Sequence, residues 1–258
     1  MPAAKPVIAF DLYGTLLSTE SIAHELAKLY GEQMSKTLAA LWRQYQLEYT
    51  WRINCMGQYR PFNEITHSAL KHALADHALQ ITERDTNELM KAYDRLHIFP
   101  EVSAALELLK EKGDQVDVYV FSNGTDAMVG NSIKSSPDLG PHAGLFKSLV
   151  TVEDVKAYKP DMKVYAHLVK QVGKEKSNDD VWVVSANPFD IVGTRAAGLK
   201  AAFIDRPSKG WIDRLDENSQ PTIVASGGRG SRENDPFHSQ QLVMNLIDFS
   251  IWLVDHRI

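Results

Sequence analysis

Four short sets of polar side chains could do chemistry together if the fold gathers them: Asp11 with Thr15, Ser122 with Asn123, Lys159, and Ser185 with Asn187 and Asp190. A carboxylate beside a lysine stays ionised, because an opposite charge within several ångströms favours the charged form. An ionised Asp can attack carbon or phosphorus and form a covalent intermediate, dividing one hard step into two. Hydroxyls and amides from Thr15, Ser122 and Asn123 can hold a substrate anion, and a second carboxylate, Asp190, can orient or deprotonate the water that hydrolyses the intermediate. Taken singly, each residue has a plainer reading: Asp11 as an Asx-turn or helix cap, Ser122 and Asn123 as turn formers, Lys159 as a surface charge before Pro160, Asp190 as an N-cap. Their shared placement at strand or loop ends weighs against four separate coincidences.

The elements that must position them follow from the apolar pattern. Val7 to Phe10 is a continuous apolar run that ends in Asp11 and a Gly-Thr pair, the pattern of a buried parallel strand. VDVYVFSNGT repeats that arrangement, and further strands are expected at Ser148 to Val152, Val181 to Val184 and Ala201 to Asp205. Helices are expected after Pro100, closed by Gly113, and from about Asp161 to Gly173. Strands alternating with helices predict an α/β fold with a Rossmann-like, doubly wound parallel sheet, whose chemistry gathers at the carboxyl ends of the strands. From about Thr19 to His97 the apolar residues recur at helical spacing instead (Ile22, Leu26, Leu29; Leu38, Leu41, Trp42, Tyr45; Leu70, Leu74), so an inserted helical cap is expected. The division is then 1–18 and 99–258 for the core and 19–98 for the cap. Gln220 to His238 reads as a mobile surface loop with one short strand, PTIVAS, at its start, and LVMNLIDFSIWLV as a helix docked on the sheet.

Composition narrows the partners. With 28 basic and 33 acidic residues the chain has no polycationic surface for nucleic acid or anionic lipid, which favours a small-molecule partner. Cys55 is the lone cysteine and is expected as a buried or half-buried thiol; a reducing compartment, by default the cytosol, suits a chain with no disulfide to make. The first apolar run is too short for a signal peptide and is interrupted by Asp11, and no segment approaches the roughly 20 apolar residues of a membrane span. The nine histidines show no HxH or HExxH spacing.

FDLYGTL, FSNGT, YKPDMKVY and VVSANPFD, in this order, resemble the four motifs of the haloacid dehalogenase superfamily, specifically of the L-2-haloacid dehalogenases. LWRQYQLEYTWR followed by MGQYRPF is similar to the dehalogenase cap segment, and the resemblance runs from about Val7 to Arg206. The insertion from Gly227 to Phe237 departs from it. Mg²⁺-dependent phosphatases of the superfamily carry a second Asp at the place held here by Tyr13, and many have two acids where this chain has Asp190 alone, a thin ligand set for a hard cation. The resemblance therefore implies a hydrolase without metal or other cofactor, acting on (S)-2-haloalkanoic acids. Asp11 displaces halide to leave an aspartyl ester, and water positioned by Asp190, supported by Lys159, Ser185 and Asn187, hydrolyses it to an (R)-2-hydroxy acid. Thr15 orients Asp11, Ser122 with loop amides binds the substrate carboxylate, and Arg43 with Asn123 draws off the halide. Tyr165 holds Lys159 and Asp190. Tyr13, Gln44, Leu47, Phe62 and Phe189 line the substrate pocket, Phe189 standing where relatives often have Trp. A homodimer through cap helices is what the resemblance suggests. The rival readings are a Mg²⁺-dependent phosphatase of the same superfamily and a non-catalytic binding protein that kept the fold.

Overall fold

The computed structural model describes residues 5–113, 115–226 and 243–244. Seven strands form one parallel sheet: β1 (Val7–Phe10), β2 (Asp117–Ser122), β3 (Ser148–Thr151), β4 (Val181–Ser185), β5 (Lys200–Asp205), β6 (Ile223–Ser226) and β7 (Val243–Met244). Their order is β3-β2-β1-β4-β5-β6-β7. The chain steps outward from β1 to β3, returns to the other side of β1 for β4, and steps outward again. Such a reversal opens a crevice beyond the carboxyl ends of the two strands where it occurs, here β1 and β4. The runs VIAF and VWVVS are buried throughout, as strands covered on both faces must be. Phe10 lies level with Val120 on one side and Val184 on the other, so the next residues, Asp11 and Ser185, share one edge.

Four helices accompany these strands: α5 (Val102–Glu111), α6 (Asp126–Ser135), α7 (Met162–Gln171) and α8 (Pro188–Ala196). Their starts follow local chemistry. The Thr125 hydroxyl accepts from Met128 N–H at 3.1 Å and the Asp161 carboxylate from Lys163 N–H at 2.8 Å, satisfying amides that a helix leaves unpaired.

Between β1 and α5 every regular element is a helix. A 3-10 turn (Thr19–Ile22) precedes α1 (Ala23–Tyr30), α2 (Glu32–Cys55), α3 (Phe62–Asp76) and α4 (Glu83–Tyr93). The 24 residues of α2 pack along α1 and α3, and the Trp42 indole crosses to the Thr66 carbonyl at 2.7 Å. The chain leaves and re-enters the sheet region through two adjacent segments, tied by an antiparallel bridge between Leu17 and Ile98 and by Ser18 N–H donating to the His97 carbonyl at 2.8 Å.

Three sequence expectations need correction. PTIVAS does hold a strand, Ile223–Ser226, but it is β6 of the sheet, buried throughout and paired with β5, and not part of a surface loop, because its alternation-free apolar run suits a strand covered on both faces. Val243–Met244, expected at the start of a terminal helix, pair with β6 as a strand; the rest of that segment and residues 227–238 lie outside the described residues. Cys55 is exposed, since the last turn of α2 buries Ile53 and turns Cys55 outward. No helix among the described residues is long and apolar enough to cross a membrane.

Candidate active site

Asp11 follows β1 directly and continues its ladder, donating its N–H to the Val184 carbonyl at 3.0 Å. The next residues turn back sharply, with Leu16 and Leu17 N–H both bonding the Leu12 carbonyl at 2.9 Å. Gly14 permits this: its φ is +87°, and a Cβ there would sit 3.4 Å from the Asn187 amide. The turn brings the Thr15 hydroxyl back onto Asp11 Oδ2 at 2.7 Å. Ser185, one residue past the level of Phe10, donates to the same oxygen at 3.2 Å, and Asn187 Nδ2 does so at 2.6 Å. Oδ2 therefore faces three neutral donors. Oδ1 receives only the Lys159 ammonium, at 3.2 Å.

Lys159 is the centre of the arrangement. Its side chain is 1 % exposed, and its three protons go to the Phe121 carbonyl (2.8 Å), Asp190 Oδ2 (2.8 Å) and Asp11 Oδ1. The ammonium also lies 3.9 Å from the centre of the Phe121 ring. Asp190, in the first turn of α8 and fully buried, takes the Tyr165 hydroxyl on its other oxygen at 2.8 Å. Burial raises the Asp190 carboxyl above the ordinary range and the nearby Asp11 charge adds to this, while Lys159 opposes both. Burial and the adjacent Asp190 push the Tyr165 phenol well up, so it stays a neutral donor. Two carboxylates share one cation.

The helical segment supplies the opposite wall. Arg43, on α2, donates to the Tyr13 carbonyl at 3.0 Å and reaches Asn187 Oδ1 at 3.5 Å. Asn187 thus touches Asp11, Arg43 and the Tyr13 carbonyl together. Tyr13 points its ring away from Asp11, stacked on Phe62 with ring centres 5.9 Å apart, and shares a hydrogen bond of 3.0 Å with Ser132. Burial raises its phenol, which makes it a poor proton donor.

Of the sequence-predicted residues, Asp11, Thr15, Lys159, Tyr165, Ser185, Asn187 and Asp190 form one hydrogen-bonded cluster, with Arg43 attached through Asn187. Ser122 is buried and accepts from Gly124 N–H at 3.0 Å, shaping the turn after β2. Asn123 gives its Oδ1 to Lys159 N–H at 2.9 Å, so only its Nδ2 is left for a ligand. Phe62 is buried beside Tyr13, Leu47 is half-buried, and Phe189 meets Trp51 edge-on at 5.5 Å. Gln44 is exposed on α2, next to Arg43 in sequence.

Other residues escaped the sequence reading. Gln46 is fully buried and accepts from both Arg43 (2.7 Å) and Tyr93 (3.1 Å), so it fixes the guanidinium; its spacing of three from Arg43 on a helix was the available signal. Arg206 donates to the Gly14 and Thr15 carbonyls at 3.2 and 2.7 Å and pairs with Glu101 at 2.8 Å. It follows β5 directly, so the strand-end argument extended to a fifth strand would have found it. Gly193 leaves room beneath α8 for Tyr165: a Cβ there would fall 2.7 Å from Pro160 Cβ and closer still to the Tyr165 hydroxyl.

Among the described residues, no three His, Cys, Asp or Glu side chains are grouped to hold a metal ion. The space between the two site carboxylates is taken by the lysine ammonium.

The sequence profile of the haloacid dehalogenase-like hydrolases matches residues 5–198. An (S)-2-haloacid dehalogenase of Pseudomonas fluorescens is 32 % identical over 246 residues, covering 95 % of each chain. Haloacetate dehalogenase H-2 of Moraxella sp. (strain B) is 35 % identical over 202 residues, 77 % of this chain and 85 % of its own. The crystal structure of the L-2-haloacid dehalogenase RSc1362 superposes with a TM-score of 0.79 at 26 % identity, over 97 % of this chain and 99 % of its own.

Proposed function

The chain belongs to the haloacid dehalogenase-like hydrolase family, and from that premise we propose that it is a hydrolase of carbon–halide bonds, converting small (S)-2-haloalkanoic acids to (R)-2-hydroxy acids. One observation carries the mechanism: a single buried lysine bridges Asp11 and Asp190.

Asp11 Oδ1 is the nucleophile, because Oδ2 is engaged by three donors and Oδ1 by one. Oδ1 attacks C2 from the side opposite the halogen, and the carbon–halogen bonding pair leaves with the halide, inverting C2. Arg43 and the Nδ2 of Asn123 receive the halide, a leaving group that needs no proton. The neutral Tyr13 phenol at the position of a phosphatase's second acid fits that chemistry. Ser122 and the amides of its turn hold the substrate carboxylate.

The ester is then hydrolysed at Asp11 Cγ. Water attacks, its proton passes to Asp190, and the carbonyl electrons move onto Oδ2. Thr15, Ser185 and Asn187 already surround that oxygen at 2.6 to 3.2 Å, so they stabilise the oxyanion without rearranging. Collapse breaks the Cγ–Oδ1 bond, the departing alkoxide recovers the proton from Asp190, and the Asp11 carboxyl, which now holds the oxygen and second proton of the water, releases that proton to solvent to restore the carboxylate. Lys159 supplies the positive charge throughout, and no metal is required. Residues 19–98 act as the cap over a core of 1–18 and 99–258. With Lys159 and Asp190 sealed at 1 % and 0 % exposure, substrate gains access when the cap shifts.

Chloride release from the two enantiomers of 2-chloropropionate tests the reading. The (S) enantiomer is consumed with EDTA present, and Asp11→Asn abolishes turnover. Loss of activity on chelation removes the metal-free part; Mg²⁺-dependent hydrolysis of p-nitrophenyl phosphate with no chloride release replaces the reading by a phosphatase.

A further inference from the structure

Lys159 must hold two carboxylates at once, so the backbone that carries it has little freedom. Its N–H is fixed by Asn123 Oδ1 at 2.9 Å, a residue of the core. The preceding residue is fixed from the other side. Asn54, in the last turn of α2, donates its Nδ2 to the Tyr158 carbonyl at 2.6 Å and accepts the Tyr158 N–H on Oδ1 at 2.9 Å. One primary amide thus reaches both backbone polar groups of Tyr158, as a neighbouring strand would, and the Tyr158 carbonyl also accepts the Asp161 N–H at 3.0 Å. The Tyr158 hydroxyl donates to the Arg60 carbonyl, and its ring stacks on Tyr59 at 5.4 Å, so the same residue is gripped by the segment after α2 as well.

We infer that Asn54 is a positioning residue for Lys159: the helical segment sets the lysine through the Tyr158 backbone, so the Asp11–Lys159–Asp190 bridge is complete only when the end of α2 is seated. Asn54 is half-buried and touches neither carboxylate. Its effect reaches the chemistry through one peptide unit. Lys159 spends every proton on a fixed acceptor, so a displacement of its backbone has to be taken up by its four-carbon stem or by lengthening one of the three bonds. Arg43 couples the same helix to Asp11 from its middle, through Asn187 and the Tyr13 carbonyl. Eleven residues of α2 separate Arg43 from Asn54, about 17 Å along the axis. Together they make one rigid helix serve two sides of the site.

The inference rests on the dehalogenase reading, and its test separates the two. Asn54→Ala and Asn54→Ser are assayed for chloride release from (S)-2-chloropropionate. Asn54→Ala lowers kcat by about 10²-fold, the effect of misplacing a reacting group by about 1 Å, with KM within about threefold of wild type. Asn54→Ser, which keeps one of the two bonds, falls between. Because Lys159 opposes the rise of the Asp190 carboxyl, the acid limb of the kcat profile moves to higher pH in both. Acid-quenched Asn54→Ala protein accumulates the mass of the Asp11 ester. A purely structural Asn54 would lower melting temperature but leave kcat per folded site and the acid limb unmoved, and that result overturns the inference. If wild type releases no halide, the functional reading fails alone. The Lys159 ammonium signal in lysine-selective ¹⁵N spectra, assigned with Lys159→Met, then decides: a shift in Asn54→Ser supports the positioning role and an unchanged signal removes it.

Discussion

The floor of the site and its roof are built from different bonds. On the floor, at the ends of β1 and β4, an ammonium and two carboxylates are sealed from water and paired with one another. On the roof, Arg43 and Asn54 of α2 reach down mainly to amide and carbonyl groups, Arg43 to Tyr13 with Gln46 holding its guanidinium, and Asn54 to Tyr158. Breaking a floor bond strands a buried charge, which is costly; breaking a roof bond leaves neutral backbone groups without one partner, which costs less. The difference suits the proposed mechanism, in which the charges stay still while the cap shifts.

Removing the lysine tests the floor most severely. Lys159→Met leaves Asp11 and Asp190 buried without their cation and is expected to lower unfolding free energy by about 3–5 kcal/mol in denaturant melts, with chloride release lost. A cost below about 1 kcal/mol would mean that the floor is no more tightly bound than the roof. A smaller effect comes from beneath α8. Gly193→Ala forces a methyl against Tyr165 and Pro160 and is expected to cost about 1–3 kcal/mol. Gly130→Ala, in α6 with open space around it, is the control of opposite sign, gaining about 0.5–1 kcal/mol. Equal melting shifts for the two would show that Tyr165 is loosely held.

The smallest effect lies in the pH profile. On the proposed mechanism Asp190 must be ionised to take the proton of water, and burial raises its carboxyl above the ordinary value of about 3.9. Activity is therefore lost, as pH falls, at a higher pH than an ordinary aspartate would set. An acid limb of kcat at or below about 3.9 would place Asp190 in a wetter or more cationic setting than the floor described here.

What the sequence alone determined is local. Apolar runs ending in Asp11, in Ser122 and in Ser185 declared buried parallel strands with polar ends, because strand period and turn chemistry act over a few residues. The helical period from Thr19 to His97 declared the insert for the same reason. PTIVAS shows the limit of local reading: nothing nearby says that a short apolar run beside Gly-rich sequence will be paired inside the sheet, since the partner, β5, decides it. Motif order brought the resemblance, and with it Arg43 and Tyr165. Only the tertiary structure decided which atom meets which. It put three donors on one oxygen of Asp11 and the lysine on the other, and it made supports of Gln46, Asn54, Gly193 and Arg206. Asn54 meets Tyr158 across 104 positions, and Arg206 meets Gly14 across 192. Pairings that distant depend on how strands and helices pack, and no window of sequence contains both partners.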